Sequence, residues 1–134
     1  MLDDLKEWSI NFIKHKDIFT GKLIDFKIED NLIEFNFKDR KQLYVIMPLL
    51  NESIKRYLKE GYVSVVCLNK RENVKFLIVS WNLFIKYSKL NFIFVNPKLN
   101  EKWGIYPSMH HFVAEKESFA LGIKSLFETV PEVK

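Results

Sequence analysis

Apolar residues at the start of the chain recur at intervals of three and four positions, the spacing of one helix face. The series consists of Leu2, Leu5, Trp8, Phe12 and Ile13. It predicts a helix from Leu2 to about Lys16 that presents one broad apolar face.

The pattern then changes to strict alternation, which predicts β-strands. Apolar side chains at Ile24, Phe26 and Ile28 alternate with charged ones, and a second alternating run covers residues 33–37. A third apolar run covers residues 42–47, and short polar turns separate the three. Two-residue periodicity with short turns is typical of an antiparallel meander with one buried face.

The middle of the chain is rich in β-branched and aromatic residues. A short helix is predicted between residues 51 and 60, because Asn51 or Ser53 can cap it and Gly61 can end it. Strands are predicted over residues 62–68, 74–85 and 90–95, which lie between clusters of polar residues.

About six strands of this length favour closure, because an open sheet leaves unpaired edges. We therefore predict a mainly β, α+β fold, in which a six-stranded antiparallel barrel has a helix at each end. Residues 97–112 lack a regular pattern, and a last helix is predicted from Glu115 to Thr129. No internal repeat or linker divides the chain, so residues 1–134 are expected to form a single domain.

Composition indicates the cellular compartment and the kinds of partner to expect. Cys67 is the only cysteine, so no intramolecular disulfide forms, and we expect a cytoplasmic protein. No apolar run approaches the roughly 20 residues that span a bilayer, so no membrane association is expected. The formal net charge of +4 is compatible with an anionic partner such as a phosphate or a nucleic acid.

A short motif after the third strand carries a family resemblance. Ser53 and Lys55 form a Ser-x-Lys pair, Leu58 follows on the predicted helix, and Val63-Ser-Val65 opens the next strand. With the order of elements and the Val95-Asn-Pro97 stretch, these residues resemble the flavin-binding split-barrel superfamily, which includes the pyridoxamine-phosphate-oxidase-like flavoproteins. The Gly-x-Pro element usual in the first hairpin of that family is missing here.

The resemblance implies a six-stranded antiparallel split barrel with N- and C-terminal helices that binds flavin mononucleotide (FMN) as a homodimer. It also implies a flavin-dependent oxidoreductase, whose substrate stays unidentified. Ser53, Lys55 and the adjacent Arg56 are then the cofactor-binding residues, since a hydroxyl and two cations at a helix start suit a phosphate. The alternative is that Ser53 only caps the helix and that Lys55 and Arg56 lie on its solvated face.

Two other functions stay open on the residues alone. A nucleic-acid-binding β-barrel would use aromatic residues interleaved with lysines, as in Lys75-Phe76 and residues 84–87. A non-catalytic adaptor domain would keep the fold without a cofactor. The pair His110-His111 lacks the spaced ligands of a metal site, so no metal is predicted, and Cys67 is expected to be a buried apolar residue.

Overall fold

The chain folds around a six-stranded sheet, and the computed structural model describes residues 1–113 and 118–134. The strands are β1 (Leu23–Glu29), β2 (Leu32–Phe37), β3 (Lys41–Ile46), β4 (Tyr62–Leu68), β5 (Leu90–Asn96) and β6 (Glu101–Ile105). The helices are α1 (Leu2–Asp17), α2 (Arg71–Val79), α3 (Trp81–Phe84), α4 (Pro107–Val113) and α5 (Phe119–Glu128), and a 3-10 helix spans Glu52–Tyr57. The predicted α+β class is therefore confirmed.

The sheet is open and mixed, so the prediction of an antiparallel barrel is wrong. Its strands lie in the order β1-β2-β3-β4-β5-β6, which leaves β1 and β6 as edges. The first three strands are antiparallel, β3, β4 and β5 run parallel, and β6 is again antiparallel. β4 runs parallel to β3 because residues 47–61 connect the two strands. A connection of a dozen or more residues is long enough for the chain to return to the same end of the sheet and start a parallel strand.

The predicted strand over residues 74–85 is also wrong, because this segment forms α2 and α3. The side chains it buries are Val74, Leu77, Trp81 and Phe84, which are three and four positions apart. That spacing belongs to a helix face rather than to a strand, although the residue types favour strands. The two helices form the crossover that makes β5 parallel to β4.

Each face of the sheet has its own apolar core. α1 covers the first face, where Leu5 and Ile13 pack with Phe35, Tyr44 and Val66. The helices that follow β3 cover the second face and complete the larger core, which includes the side chains Ile54, Val65, Leu77, Phe92, Trp103 and Ile123. α1 runs antiparallel to β3, so its basic last turn lies near the end of the sheet where β1, β3, β4 and β5 begin.

Buried asparagines fasten residues 130–133 across the far ends of β4 and β5. The amide of Asn69 donates to the carbonyl of Val130 at 2.9 Å, and its oxygen accepts from Trp103 Nε1 at 2.7 Å. Asn96 donates to the carbonyl of Pro131 at 3.0 Å. These amides satisfy backbone groups that would otherwise be buried without partners.

The prediction that residues 97–112 are irregular is wrong, because they form β6, whose Trp103 and Ile105 alternate into the core, and most of α4. The other sequence predictions are confirmed in outline. The first helix, the β1–β3 meander and the strands over residues 62–68 and 90–95 are present, and the short helix is a 3-10 helix. The last helix spans Phe119–Glu128, while residues 115–117 of the predicted helix lie outside the described residues. Within residues 1–113 and 118–134, no helix has the length and apolar character needed to cross a membrane.

Candidate anion-binding surface

The first face of the sheet has a polar row beyond the end of α1. Gln42, Ser64 and Asn91 lie on β3, β4 and β5, where Ser64 is the register partner of Asn91 and Gln42 is diagonal to Ser64, opposite Tyr62. Gln42 Nε2 donates to Ser64 Oγ at 2.9 Å, and Ser64 Oγ donates to Asn91 Oδ1. The row is uncharged and internally hydrogen-bonded, so it forms a fixed polar floor.

Tyr44 lies next to this floor and is 2% exposed. Burial raises the pKa of the Tyr44 phenol well above its usual range, although a hydrogen bond with Ser64 and the charge of Arg40 act in the opposite direction. The neighbouring Tyr106 raises the pKa further. Tyr44 is therefore a neutral phenol at any physiological pH.

Arg40 is the central cation of this region. Its guanidinium carbon lies 4.3 Å from the centroid of the Phe37 ring and 5.5 Å from that of Tyr62. The ammonium of Lys89 lies 4.6 Å from the centroid of the Tyr62 ring. Phe37 ends β2, Arg40 precedes β3, Tyr62 begins β4 and Lys89 precedes β5. The order of the strands in the sheet therefore brings these residues together.

Two carboxylates hold the neighbouring backbone and cations in place. Asp39 contacts Lys22 Nζ at 3.1 Å and Arg40 Nη1 at 3.2 Å, and the hydrogen bond from Lys22 lowers the pKa of Asp39. Desolvation raises the pKa of Asp17, but hydrogen bonds from the backbone of Leu23 and Lys22 bring it below its usual value. Both groups are carboxylates at neutral pH, and Lys22 and Arg40 keep further N–H donors for a ligand.

We call Lys16, Lys22, Phe37, Arg40, Tyr62 and Lys89 the basic–aromatic surface. A cleft of about 170 Å³ opens in it, with Lys16, Lys22 and Arg40 among its lining residues and Gln42 and Tyr44 at its base. Ligand pockets usually measure roughly 300–1,000 Å³. The cleft is therefore of a size for one group of a larger ligand, such as a phosphate.

The same face carries further pairs of cations and rings. Lys14 lies over Phe26 at 5.3 Å, and Lys16 and Lys102 lie 5.2 Å and 5.1 Å from the centroid of Phe12. Together with Phe37 and Tyr62, four rings of this 134-residue chain have a cation over them. Such pairs occur roughly once per 70–80 residues in proteins, so their concentration on one face is unusual.

The residues that the sequence suggested for FMN lie elsewhere. Ser53, Lys55 and Arg56 are on the 3-10 helix, on the connection that packs against the second face. Lys55 Nζ lies 2.6 Å from a carboxylate oxygen of Glu52, and the Ser53 backbone N–H and hydroxyl both bond to Asn51 Oδ1. Asn51 therefore caps this helix, and Ser53 is the second residue within it.

His110 and Cys67 both pack against other side chains of this chain. Among the described residues no group of three or more His, Cys, Asp or Glu side chains is arranged to hold a metal ion. His110 meets the Trp81 ring edge-on at 5.8 Å, and desolvation lowers the pKa of its imidazole. Cys67 is fully buried in β4, where desolvation raises the pKa of its thiol.

A larger groove runs along α1 from Met1 to His15, with a volume of about 1170 Å³. The side chains that line it include acidic Asp4, Glu7 and Glu132 together with basic Lys98 and Lys134. Mixed charge of this kind favours no single class of ligand. The basic–aromatic surface has four cations beside Asp17 and Asp39, whose carboxylates are already hydrogen-bonded within the chain, and it has a defined polar floor. It is therefore the stronger candidate for an anionic ligand.

No single motif in the sequence points to this surface, because Arg40, Tyr62 and Lys89 lie at the starts of three different strands. The aromatic residues that the sequence did suggest for stacking are placed differently. Phe84 is fully buried, and Phe76 and Tyr87 pack against the same core.

The chain was compared with protein-family models, curated proteins and solved structures, and none of them matches it.

Proposed function

We propose that the chain binds single-stranded nucleic acid through the basic–aromatic surface. The observation that carries the proposal is the Arg40 guanidinium, whose carbon lies 4.3 Å and 5.5 Å from the ring centroids of Phe37 and Tyr62. Lys89 lies over the same Tyr62 ring, and Lys22 lines the cleft together with Arg40. Single strands are bound by surfaces that combine cations for the phosphates with planar groups for the bases.

The geometry assigns a task to each part of the surface. Lys22, Lys89 and Arg40 neutralise backbone phosphates, and one phosphate fits the cleft between Lys22 and Arg40. A base stacks on the ring of Tyr62, which is 39% exposed. Gln42 and Asn91 lie next to this ring on the sheet and offer amide groups to a base edge or a ribose hydroxyl.

Titration of labelled single-stranded RNA and DNA tests the proposal, with fluorescence anisotropy as the measurement. For contacts to about three phosphates, log Kd should rise with log salt concentration with a slope of about 2, since each contact contributes roughly 0.7. Lys89→Gln is expected to weaken binding about threefold to tenfold and to reduce this slope by about 0.7.

Lys75→Gln is the matched control, because Lys75 is an exposed lysine on α2 at the second face. The control should bind like the wild type. Absence of salt-dependent binding by the wild type, or equal losses in the two variants, would contradict the proposal.

FMN binding at Ser53, Lys55 and Arg56 is a second proposal, which now rests on that local cluster alone. The split barrel that accompanied it in the sequence argument is not the fold of this chain. What supports it is that Lys55 and Arg56 are exposed in the last turn of the 3-10 helix that also carries Ser53.

Lys55→Gln is expected to weaken FMN binding by about 1.5–3 kcal/mol, the range for a hydrogen bond to a charged group. Binding of riboflavin, which lacks the phosphate, should hardly change. Flavin fluorescence and the melting temperature with excess FMN are the two measurements. If neither changes on mixing FMN with the wild-type protein, the FMN proposal is wrong.

A further inference from the structure

The edge strand β1 exposes more apolar surface than an unpaired edge usually does. Ile24 is 63% exposed and Ile28 is 48% exposed, and no other strand covers this side of β1. Proteins normally protect a free edge with charges, a proline or a bulge, because its unpaired N–H and C=O groups attract another strand. A bulge between Leu23 and Asp25 and the exposed charges of Asp25, Lys27 and Glu29 are the protections that β1 has, and they leave Ile24 and Ile28 exposed beside them.

The hydrogen bonds of β2 show which groups of β1 are unpaired. Phe37 donates its backbone N–H to Arg40 on the β3 side of β2. Because these directions alternate along a strand, Asn36 and Glu34 turn toward β1 and bond to Asp25 and Lys27, which are their register partners. The backbone N–H and C=O groups of Phe26 and Ile28 therefore point outward from the edge.

We propose that two copies of the chain associate by antiparallel pairing of their β1 strands, with a twofold axis at Phe26. The residues of β1 around Phe26 are self-complementary when the strand is paired with its own reverse. Phe26 then faces Phe26 of the second copy, and each Asp25 faces a Lys27. Each Ile24 faces an Ile28, so every one of the five rows joins residues of matching character.

Other symmetric registers are less favourable. A twofold axis at Lys27 sets the two Lys27 side chains opposite each other and faces Asp25 with Glu29, while an axis at Asp25 sets two aspartates together. An axis at Ile28 pairs Phe26 with Asp30, whose φ of 52° turns the chain out of the strand. The axis at Ile28 also faces Lys27 with Glu29, but only the register at Phe26 pairs opposite charges without placing an apolar residue opposite Asp30.

The proposed pairing also fits the ends of the strand. The backbone N–H of Leu23 is already bonded to the carboxylate of Asp17, so this residue needs no partner strand. The five paired rows therefore span Ile24, the residue at the bulge, to Ile28, which precedes the turn at Asp30. A second copy is the occupant, because the charge order of β1 complements itself.

Charge-reversal variants of β1 test the proposal by sedimentation velocity over a range of protein concentrations. The wild type should form a dimer. Asp25→Lys alone and Lys27→Asp alone each place like charges opposite each other twice, so each should weaken dimerisation at least tenfold. A mixture of the two variants in equal amounts should form the heterodimer, because both charged rows of the mixed pair again join opposite charges.

Lys41→Glu is the control, since Lys41 lies on β3, two strands away from the edge, and should leave the dimer unchanged. Circular dichroism of each variant confirms that it is folded. A wild-type monomer at all concentrations overturns the proposal, and so does a dimer that both single variants preserve. Failure of the folded single variants to combine with each other overturns it as well.

Discussion

Replacing Asn69 with alanine is expected to lower the free energy of unfolding by about 2–5 kcal/mol, because it leaves two buried polar groups unpaired. Asn69 is fully buried and bonds through both ends of its amide, to Val130 and to Trp103. Alanine removes both bonds and leaves the indole N–H and the carbonyl without partners. Each buried polar group left unpaired costs about 1–3 kcal/mol.

Urea denaturation followed by circular dichroism measures this loss. Asn82→Ala is the matched control, because Asn82 is exposed on α3 and its replacement should change stability by no more than about 0.5 kcal/mol. Trp103→Phe removes the indole N–H itself, so Asn69→Ala should cost less in that background. Equal losses for Asn69→Ala and Asn82→Ala would show that the buried amide does not hold residues 130–133.

Replacing Arg40 with glutamine is expected to weaken single-stranded nucleic-acid binding by roughly tenfold, or about 1.4 kcal/mol, with a shallower salt dependence. The change removes a phosphate contact and the flat cation near the rings of Phe37 and Tyr62. Arg40→Lys keeps the charge but not the planar group, so it should recover only part of the affinity. Anisotropy titrations at several salt concentrations give both quantities.

Arg56→Gln is the matched control for charge, because Arg56 is an exposed arginine on the 3-10 helix. It should leave nucleic-acid affinity unchanged, and under the FMN proposal it should weaken FMN binding instead. The two arginine variants therefore separate the two functions in one set of proteins. If Arg56→Gln reduces nucleic-acid affinity as much as Arg40→Gln, the binding reflects net charge rather than a site.

The local elements of this fold could be predicted from the sequence, while the topology could not. Alternation of apolar and polar residues identified β1, β2 and β3, and the spacing of Leu5 and Trp8 identified α1. The error over residues 74–85 arose from composition, since Val, Ile and Phe favour strands wherever tertiary contacts do not decide. In this segment the contacts decide, because the spacing from Val74 to Leu77 and Trp81 suits a helix packed on a sheet.

The direction of β4 was open to prediction from the length of the connection before it. Residues 47–61 are too many for a tight hairpin, and that length favours a crossover. The position of β1 at an edge of the sheet could not be predicted from the lengths of the connections, because the strand order depends on where the crossovers pack. The self-complementary order of charges around Phe26 is visible in the sequence, but it has meaning only once β1 is known to be an edge.

The same difference between local sequence and topology applies to the candidate site. Arg40 and Lys89 have no neighbours in sequence that mark them, and they meet only because β3 and β5 both start at the same end of a parallel sheet. Residues such as Ser53 and Lys55 form a motif because they are close in sequence. The structure places that motif on a short connection whose cap is Asn51.

The anchoring of residues 130–133 has a consequence for synthesis of the protein. Ribosomes make a chain from its amino end, so Asn69 emerges well before the carbonyl of Val130, which follows it by 61 residues. Until then β4 and β5 lack the segment that covers their ends, and a nascent chain holds an amide that its own core cannot yet satisfy. We therefore expect the sheet to become fully stable only after residues 130–133 have left the ribosome, and to need protection from chaperones before that point.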